Sequence, residues 1–106
     1  MIQQSDNALA TIGEVARSAI PGARVLLFGS RARGQANAES DYDILIITES
    51  RMDAGTKFTL RTRIRKQLLE HGIRCDVLIQ SEQEVQKKKE LPGHIIRIAL
   101  REGVPL

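Results

Sequence analysis

The sequence predicts an α/β (α+β) two-layer sandwich, in which helices pack against a small mixed sheet of three or four strands. Two observations favour this class. Apolar residues recur at three- and four-residue steps in three segments, as in amphipathic helices, and form short continuous runs in three others, as in buried strands. Because 106 residues is the usual length for one core, we expect residues 1–106 to form a single domain.

The first part of the chain contains a helix and a strand. Helical periodicity predicts a helix over residues 6–19, which Pro21-Gly22 ends. Residues 23–28 form a short aliphatic run before a glycine and are predicted to be the first strand. Residues 31–34 could hold one helical turn, and residues 35–40 have loop composition.

The middle of the chain contains the most apolar strand and the longest helix. The second strand is predicted from Asp41 to about Thr48. Its run of four apolar residues at positions 44–47 lacks polar alternation, so helices are expected to cover both of its faces. Apolar residues every fourth position predict a second helix over residues 54–70, which His71-Gly72 ends.

The last part of the chain completes the sheet. Residues 73–79 are predicted to be the third strand, and the polar segment 81–90 is predicted to be a loop or a frayed helix. A final helix is expected to begin with Pro92 as its first residue and to end at Gly103. Residues 104–106 could add a short edge strand.

Composition narrows the function classes. Lys and Arg outnumber Asp and Glu by 16 to 13, which is compatible with nucleotides or RNA as ligands. One Tyr, two Phe and no Trp leave little to stack bases on, which argues against a sequence-reading RNA module. The lone Cys75 has apolar neighbours and is expected to be a buried, inert thiol. No leader or membrane span is evident, so a cytoplasmic location without membrane contact is expected.

A basic stripe lies on the predicted second helix, where Lys57, Arg61 and Arg65 recur every four residues. Such a stripe is usually a solvated helix face. The alternative is contact with a phosphate backbone or an acidic partner.

Two acidic residues begin the second strand. Side chains alternate along a strand, so Asp41 and Asp43 project to the same side. Two carboxylates about 5 Å apart repel by roughly 3 kcal/mol at an effective dielectric constant of 20. A divalent cation would remove this repulsion, and Mg²⁺ is commonly held by one or two carboxylates together with substrate phosphates.

A third acidic residue, Asp76, interrupts the apolar run of the third strand. If the second and third strands are neighbours, Asp76 reaches the same face as the paired aspartates. Three carboxylates could then hold two metal ions for attack on phosphorus. The alternative is that Asp76 pairs with Arg74, two residues earlier on the same face.

A Gly29-Ser30 pair lies where the first strand ends. Glycine permits close approach of a ligand, and backbone amides together with a serine hydroxyl can hold phosphate oxygens. Arg31 and Arg33 could add cationic donors, with only one of them facing inward. The alternatives are an ordinary turn and a surface salt bridge to Glu39.

These motifs together resemble the minimal nucleotidyltransferase family of the polymerase-beta-like nucleotidyltransferase superfamily. That family has Gly-Ser, then Ala-Arg-Gly, then Ser-Asp-x-Asp on the next strand, and a third aspartate on a later strand. The matching positions are Gly29, Ser30, Ala32, Arg33, Gly34, Ser40, Asp41, Asp43 and Asp76.

The resemblance implies a fold, a reaction and a set of site residues. It implies that Asp41 and Asp43 hold two Mg²⁺ ions, and that Asp76 ligates the ion that activates an acceptor hydroxyl. The implied reaction moves a nucleoside monophosphate, AMP from ATP, onto a hydroxyl of a protein or RNA. The implied nucleotide-binding residues are Gly29, Ser30, Arg31, Arg33 and Ser40.

The resemblance also implies a partner, because such proteins are often paired with a helical HEPN-domain toxin that they modify as the antitoxin. Three alternatives remain open at this point. The chain could neutralise such a partner by contact alone, it could be a basic RNA-binding domain, or it could act as a homo-oligomer whose second copy completes the site.

Overall fold

A four-stranded sheet between two pairs of helices forms the protein, as seen in a computed structural model that describes residues 2–106 and the side chains from Asn7 onward. Along the chain the elements are α1 (Ile2–Ala19), β1 (Arg24–Phe28), β2 (Tyr42–Thr48), α2 (Ala54–Glu70), β3 (Cys75–Ser81), α3 (Glu82–Lys88), α4 (Ile95–Glu102) and β4 (Val104–Pro105).

The sheet is mixed, as predicted. The strand order is β3-β2-β1-β4, with β2 parallel to β3 and antiparallel to β1. The short β4 pairs antiparallel with the other edge of β1, which confirms the predicted fourth strand. The fold class read from the sequence is therefore confirmed, with β3 and β4 at the two edges.

The two faces of the sheet bury separate apolar clusters. One face of β1 and β2 packs against α1 and α2, and the other packs against α3 and α4. Each side chain from Ile44 to Ile47 is at most 1% exposed, although successive side chains point to opposite faces. Helices cover both faces of this strand, as its unbroken apolar run predicted. Sheet and helices therefore form three layers, and not the two layers named in the predicted fold class.

Element boundaries differ from the predicted ones where capping decides them. The first helix begins four residues before the predicted start, and α4 begins at Ile95 rather than at Pro92. His94 is the N-cap residue of α4, since its Nδ1 accepts a hydrogen bond of 3.1 Å from the Ile96 amide. Pro92 lies in the turn before this cap.

The polar segment after β3 forms a regular helix, α3. Its start is a capping box in which Ser81 Oγ accepts from the Glu84 amide at 3.1 Å and the Glu84 carboxylate accepts from the Ser81 amide at 2.7 Å. Val85 anchors the helix in the core. Of the loop and the frayed helix predicted for this polar segment, the structure has a helix, and the Ser-x-x-Glu motif at its start keeps that end from fraying.

The Lys57 side chain is not part of a solvated stripe. Its Nζ donates to both oxygens of Glu84 at 2.8 Å, and this ion pair joins α2 to α3 around the β3 edge. Partial burial opposes ionisation of Glu84, but the hydrogen bonds from Lys57 and Ser81 outweigh it and lower the pKa of this carboxyl to about 2.

Glu84→Gln is expected to lower the free energy of unfolding at pH 7 by about 2 kcal/mol. Since the folded-state pKa lies below the usual 4.5, the stabilisation is complete above that pH and is lost as the pH falls toward 2. Urea unfolding at several pH values would measure it. Equal slopes of stability against pH for the wild type and the variant below pH 4.5 would contradict this expectation.

Cys75 is buried, as expected. Burial, and after it the charges of Asp41, Asp76 and Asp43, raise the pKa of its thiol to about 12. The thiol is therefore not ionised at neutral pH. Within residues 2–106, no helix combines the length and the apolar character that crossing a membrane would need.

Candidate active site

Two of the three predicted aspartates lie side by side in the sheet. The parallel register of β2 and β3 pairs Asp43 with Asp76, and the antiparallel register of β1 pairs Asp43 with Phe28. Because the neighbours Leu45 and Leu78 belong to the cluster under α3 and α4, both carboxylates project to that face. The predicted adjacency of the second and third strands is thus present.

The electrostatics of Asp43 show an uncompensated negative charge. Burial raises the pKa of this carboxyl, the charges of Asp76 and Asp41 raise it further, and the Arg33 guanidinium only partly offsets them. A half-buried carboxylate surrounded by like charges favours a bound cation. Asp43 is therefore the carboxylate whose negative charge a bound cation would stabilise most directly.

Asp41 does not converge on the other two carboxylates. It precedes β2, and its Oδ1 lies 3.4 Å from Nε of Arg74, which also contacts Glu39. Arg74 therefore pairs with Asp41 and not, as the alternative had it, with Asp76. Among the side chains that the structure describes, those of residues 7–106, no group of three or more His, Cys, Asp or Glu is arranged to hold a metal ion.

The bend after β1 brings the backbone against Asp43. Gly29 has a φ of +78°, and a Cβ added there would collide with the Asp43 carboxylate. The amides of Ala32 and Arg33 both donate to the Gly29 carbonyl at 3.1 Å, which forms the helical turn predicted for residues 31–34. Glycine is required here both by the backbone conformation and by the close approach.

The two arginines of the turn lie on opposite sides of the sheet. Arg31 stacks on the Tyr42 ring, 4.1 Å from its centroid, and Tyr42 points away from Asp43. The Arg31 guanidinium also donates to the Ser40 carbonyl at 2.8 and 3.0 Å. Arg33 lies on the aspartate side, where its Nη1 contacts Glu102 at 2.9 Å rather than Glu39.

Arg31 and Ser40 have partners within the chain. Ser40 Oγ accepts from the Asn37 amide at 3.1 Å, and Arg31 holds the carbonyls of Asn37 and Ser40. These contacts shape the loop of residues 35–40, which leads into the aspartate strand. Both residues therefore position this loop, and their part in nucleotide binding stays a prediction.

A cleft of about 370 Å³ opens over Asp43 and Asp76 at the β3 edge. Its lining combines acidic, basic and apolar side chains, namely Phe28, Asp43, Arg61, Arg65, Asp76, Val77, Leu78 and Ile95. Three larger concave surfaces, of about 600, 410 and 400 Å³, are lined by neither Asp43 nor Asp76. The smaller cleft is the candidate site because it contains the perturbed carboxylate.

Sequence reasoning missed three residues of this region. For Arg61 and Arg65 the sequence favoured a solvated face and left contact with a phosphate backbone or an acidic partner open, and in the structure both line the cleft. Their four-residue spacing after Lys57 was the available signal. Glu102, whose Oε1 accepts from the Gly29 amide at 2.9 Å, gave no signal in the sequence.

Two neighbouring strands carry acidic side chains beside a Gly-Ser bend, at a cleft on one face of a mixed sheet. This arrangement is typical of nucleotide-transferring domains. The model of the family described as nucleotidyltransferase domain matches residues 9–105. This chain belongs to that family and is a nucleotidyltransferase. The nucleotidyltransferase family predicted from the resemblance is thereby confirmed.

Relatives of known sequence or structure agree with this assignment. A protein of Methanocaldococcus jannaschii, provisionally named a protein adenylyltransferase, is 36% identical over 80 residues, which are 76% of this chain and 73% of the relative. A provisionally named nucleotidyltransferase from Sulfolobus solfataricus is 25% identical, with a TM-score of 0.61 over 93% of this chain and 76% of that one.

Two more distant structures share the fold. One is a toxin–antitoxin structure with AMP-PNP, 18% identical, with a TM-score of 0.62 over 91% of this chain and 69% of that one. The other is the complex of a tri-AMPylated HEPN toxin of Shewanella oneidensis with its MNT antitoxin, also 18% identical. Its TM-score is 0.55 over 99% of this chain and 71% of that one.

Proposed function

We propose that this nucleotidyltransferase moves AMP from ATP to a hydroxyl group of a protein, with Mg²⁺ as its cofactor. The observation that carries the proposal is the pairing of Asp43 with Asp76 beside the Gly29 bend. The relative provisionally named a protein adenylyltransferase supports the nucleotide and the acceptor class. The fold shared with a structure containing AMP-PNP supports an adenine nucleotide as the donor.

The donor set fits Mg²⁺. This ion is usually bound by one or two carboxylates, with waters and substrate phosphates completing its shell. Asp43 and Asp76 provide two such carboxylates, and the raised pKa of Asp43 marks the site where a cation relieves repulsion. Asp41 would help to bind a second ion after its ion pair with Arg74 breaks. That ion pair is exposed to solvent, so breaking it costs little. Bound Mg²⁺ would neutralise phosphate charge and polarise the phosphorus centre.

The chain's own residues would position the reactants. The Ser30 hydroxyl, the Gly29 amide and the Arg33 guanidinium would hold the β- and γ-phosphates through charge-assisted hydrogen bonds. Asp76 faces the open cleft and would accept the proton of the acceptor hydroxyl. The hydroxyl oxygen would then form a bond to the α-phosphorus as the bond to the bridging oxygen breaks and pyrophosphate leaves.

The acceptor would be a HEPN-domain toxin, with this chain acting as its antitoxin. Support comes from the shared fold with the MNT antitoxin of a tri-AMPylated HEPN toxin. The second candidate is neutralisation by contact alone, which the exposed apolar residues Phe58 and Ile95 near the cleft favour. The two candidates differ in whether Asp43 is needed.

Incubation with Mg²⁺ and α-³²P-ATP, with and without a HEPN-domain toxin, tests the proposal. Label is expected on a protein acceptor from α-labelled ATP and not from γ-labelled ATP, because pyrophosphate leaves. The Asp43→Asn variant should transfer none. No label on any acceptor, with toxin neutralisation intact in Asp43→Asn, would instead establish the contact-only function.

A further inference from the structure

We propose that Glu102 competes with nucleotide for the phosphate cradle, which consists of the Gly29 amide and the Arg33 guanidinium. Nucleotide then binds well only when the Glu102 side chain turns away. The inference rests on the proposed function, and it concerns the regulation of the same site. It follows from what the Glu102 carboxylate contacts: the backbone amide and the guanidinium that a triphosphate would need.

The contacts of Glu102 reproduce those of a phosphate group. Its Oε1 accepts from the Gly29 amide at 2.9 Å and from Arg33 Nη1 at 2.9 Å, and its Oε2 lies 3.2 Å from the same nitrogen. A backbone amide and a guanidinium that donate to the same anion are also the donors that bind phosphate oxygens. The cradle is therefore formed, and a carboxylate of the same chain fills it.

The fold delivers Glu102 to this position. The β1–β4 register pairs Leu27 with Val104, and its continuation places Glu102 opposite Gly29. The Leu106 amide donates to the Val25 carbonyl at 2.9 Å, and Arg17 holds the Leu106 carbonyl at 2.8 Å. The chain after α4 is thus fixed on both sides.

The backbone at the neighbouring Gly103 is closely packed. A Cβ added there would collide with the Ala99 carbonyl and would lie 3.4 Å from Leu26. In the proposed displacement the backbone therefore stays in place and the Glu102 side chain rotates out of the cradle. That side chain is 21% exposed, so rotation takes it directly into solvent.

Displacement has a physical cost and a physical driving force. The incoming triphosphate must break the contacts of Glu102 with Gly29 and Arg33 before it makes its own. The triphosphate carries more charge than one carboxylate, so it can displace Glu102. Its apparent affinity equals the intrinsic affinity multiplied by the fraction of molecules whose cradle is open. Glu102 also adds negative charge beside Asp43, where the phosphates must lie.

Calorimetric titration of ATP with Mg²⁺ into the wild type, Glu102→Ala and Glu102→Gln tests the proposal. We expect a dissociation constant about tenfold lower for Glu102→Ala, and a smaller decrease for Glu102→Gln, whose neutral amide still occupies the cradle. Glu82→Ala is the matched control, because Glu82 also pairs with an arginine, Arg24 at 3.1 Å, outside this site. Its affinity for nucleotide should equal that of the wild type.

Thermal unfolding shows whether each variant is folded, and Glu102→Gln decides the question if Glu102→Ala does not fold. Equal or weaker binding by folded Glu102 variants would overturn the competitor role and leave the proposed function standing. An equal gain in Glu82→Ala would overturn it too, since a general charge effect would then explain the result. Absence of binding by every protein would overturn both proposals.

Discussion

Asp43→Asn is expected to lower the rate of nucleotide transfer at least about a thousandfold and, at the same time, to raise the stability of the protein at pH 7. The loss of rate follows because the variant keeps the shape of the side chain but removes the charge that would hold Mg²⁺. Loss of roughly 4 kcal/mol of charge stabilisation corresponds to a factor of a thousand.

The gain in stability follows from the pKa of Asp43. Burial and the charges of Asp76 and Asp41 raise this pKa above 3.8, so the folded state binds a proton more tightly than the unfolded state does. Ionised Asp43 therefore destabilises the fold, by an amount that grows as the pH rises from 3.8 through the folded-state pKa and is absent below 3.8. The neutral amide of the Asp43→Asn variant removes this destabilisation.

Asp53→Asn is the matched control, because the pKa of Asp53 is lowered in the folded protein whereas that of Asp43 is raised. Asp53 is the exposed N-cap of α2, where the hydrogen bond from the Thr56 amide lowers the pKa of its carboxyl. Neutralising Asp53 should slightly reduce stability above pH 3.8 and leave transfer unchanged. Label transfer and urea unfolding of both variants at pH 7 measure the two effects. An active Asp43→Asn variant, or one less stable than the wild type, would contradict the assignment.

Local sequence patterns explain which part of the site could be predicted. Alternation along β2 and the apolar run of β3 place Asp43 and Asp76 on one face once the two strands are taken as neighbours, because a strand has only two faces. The motif around Gly29 similarly fixes the bend. These are local patterns, and the structure keeps them.

Contacts between distant segments could not be predicted in the same way. The sequence offers Arg74 several acidic partners, and only the position of the loop before β2 gives it Asp41 and Glu39. Glu102 meets Gly29 across 73 residues of chain, through the register of a two-residue strand. No periodicity encodes such a register.

Gly29→Ala is expected to lower the free energy of unfolding by about 3 kcal/mol and to abolish measurable transfer. A φ of +78° costs an alanine roughly 1 kcal/mol, and the collision of its Cβ with the Asp43 carboxylate adds roughly 2 kcal/mol. Activity is lost because the Asp43 carboxylate must leave the position beside the Gly29 bend that it holds in the proposed cation site. Urea unfolding and label transfer measure both effects.

Gly34→Ala separates the two contributions. Gly34 has a nearly equal φ of +73°, yet a Cβ there would meet no atom within 4 Å. It should therefore cost only about 1 kcal/mol and leave transfer intact. Equal losses of stability in the two variants would show that the approach of Gly29 to Asp43 is not tight.

The double variant Gly29→Ala with Asp43→Ala tests the contact directly. Since the second change removes the carboxylate that the new Cβ meets, the double variant should be about 2 kcal/mol more stable than the sum of the two single effects implies. Additive effects would mean that the two residues do not touch. A positive coupling would establish that the Gly29 bend and the Asp43 carboxylate are held in contact, as the proposed cation site beside this bend requires.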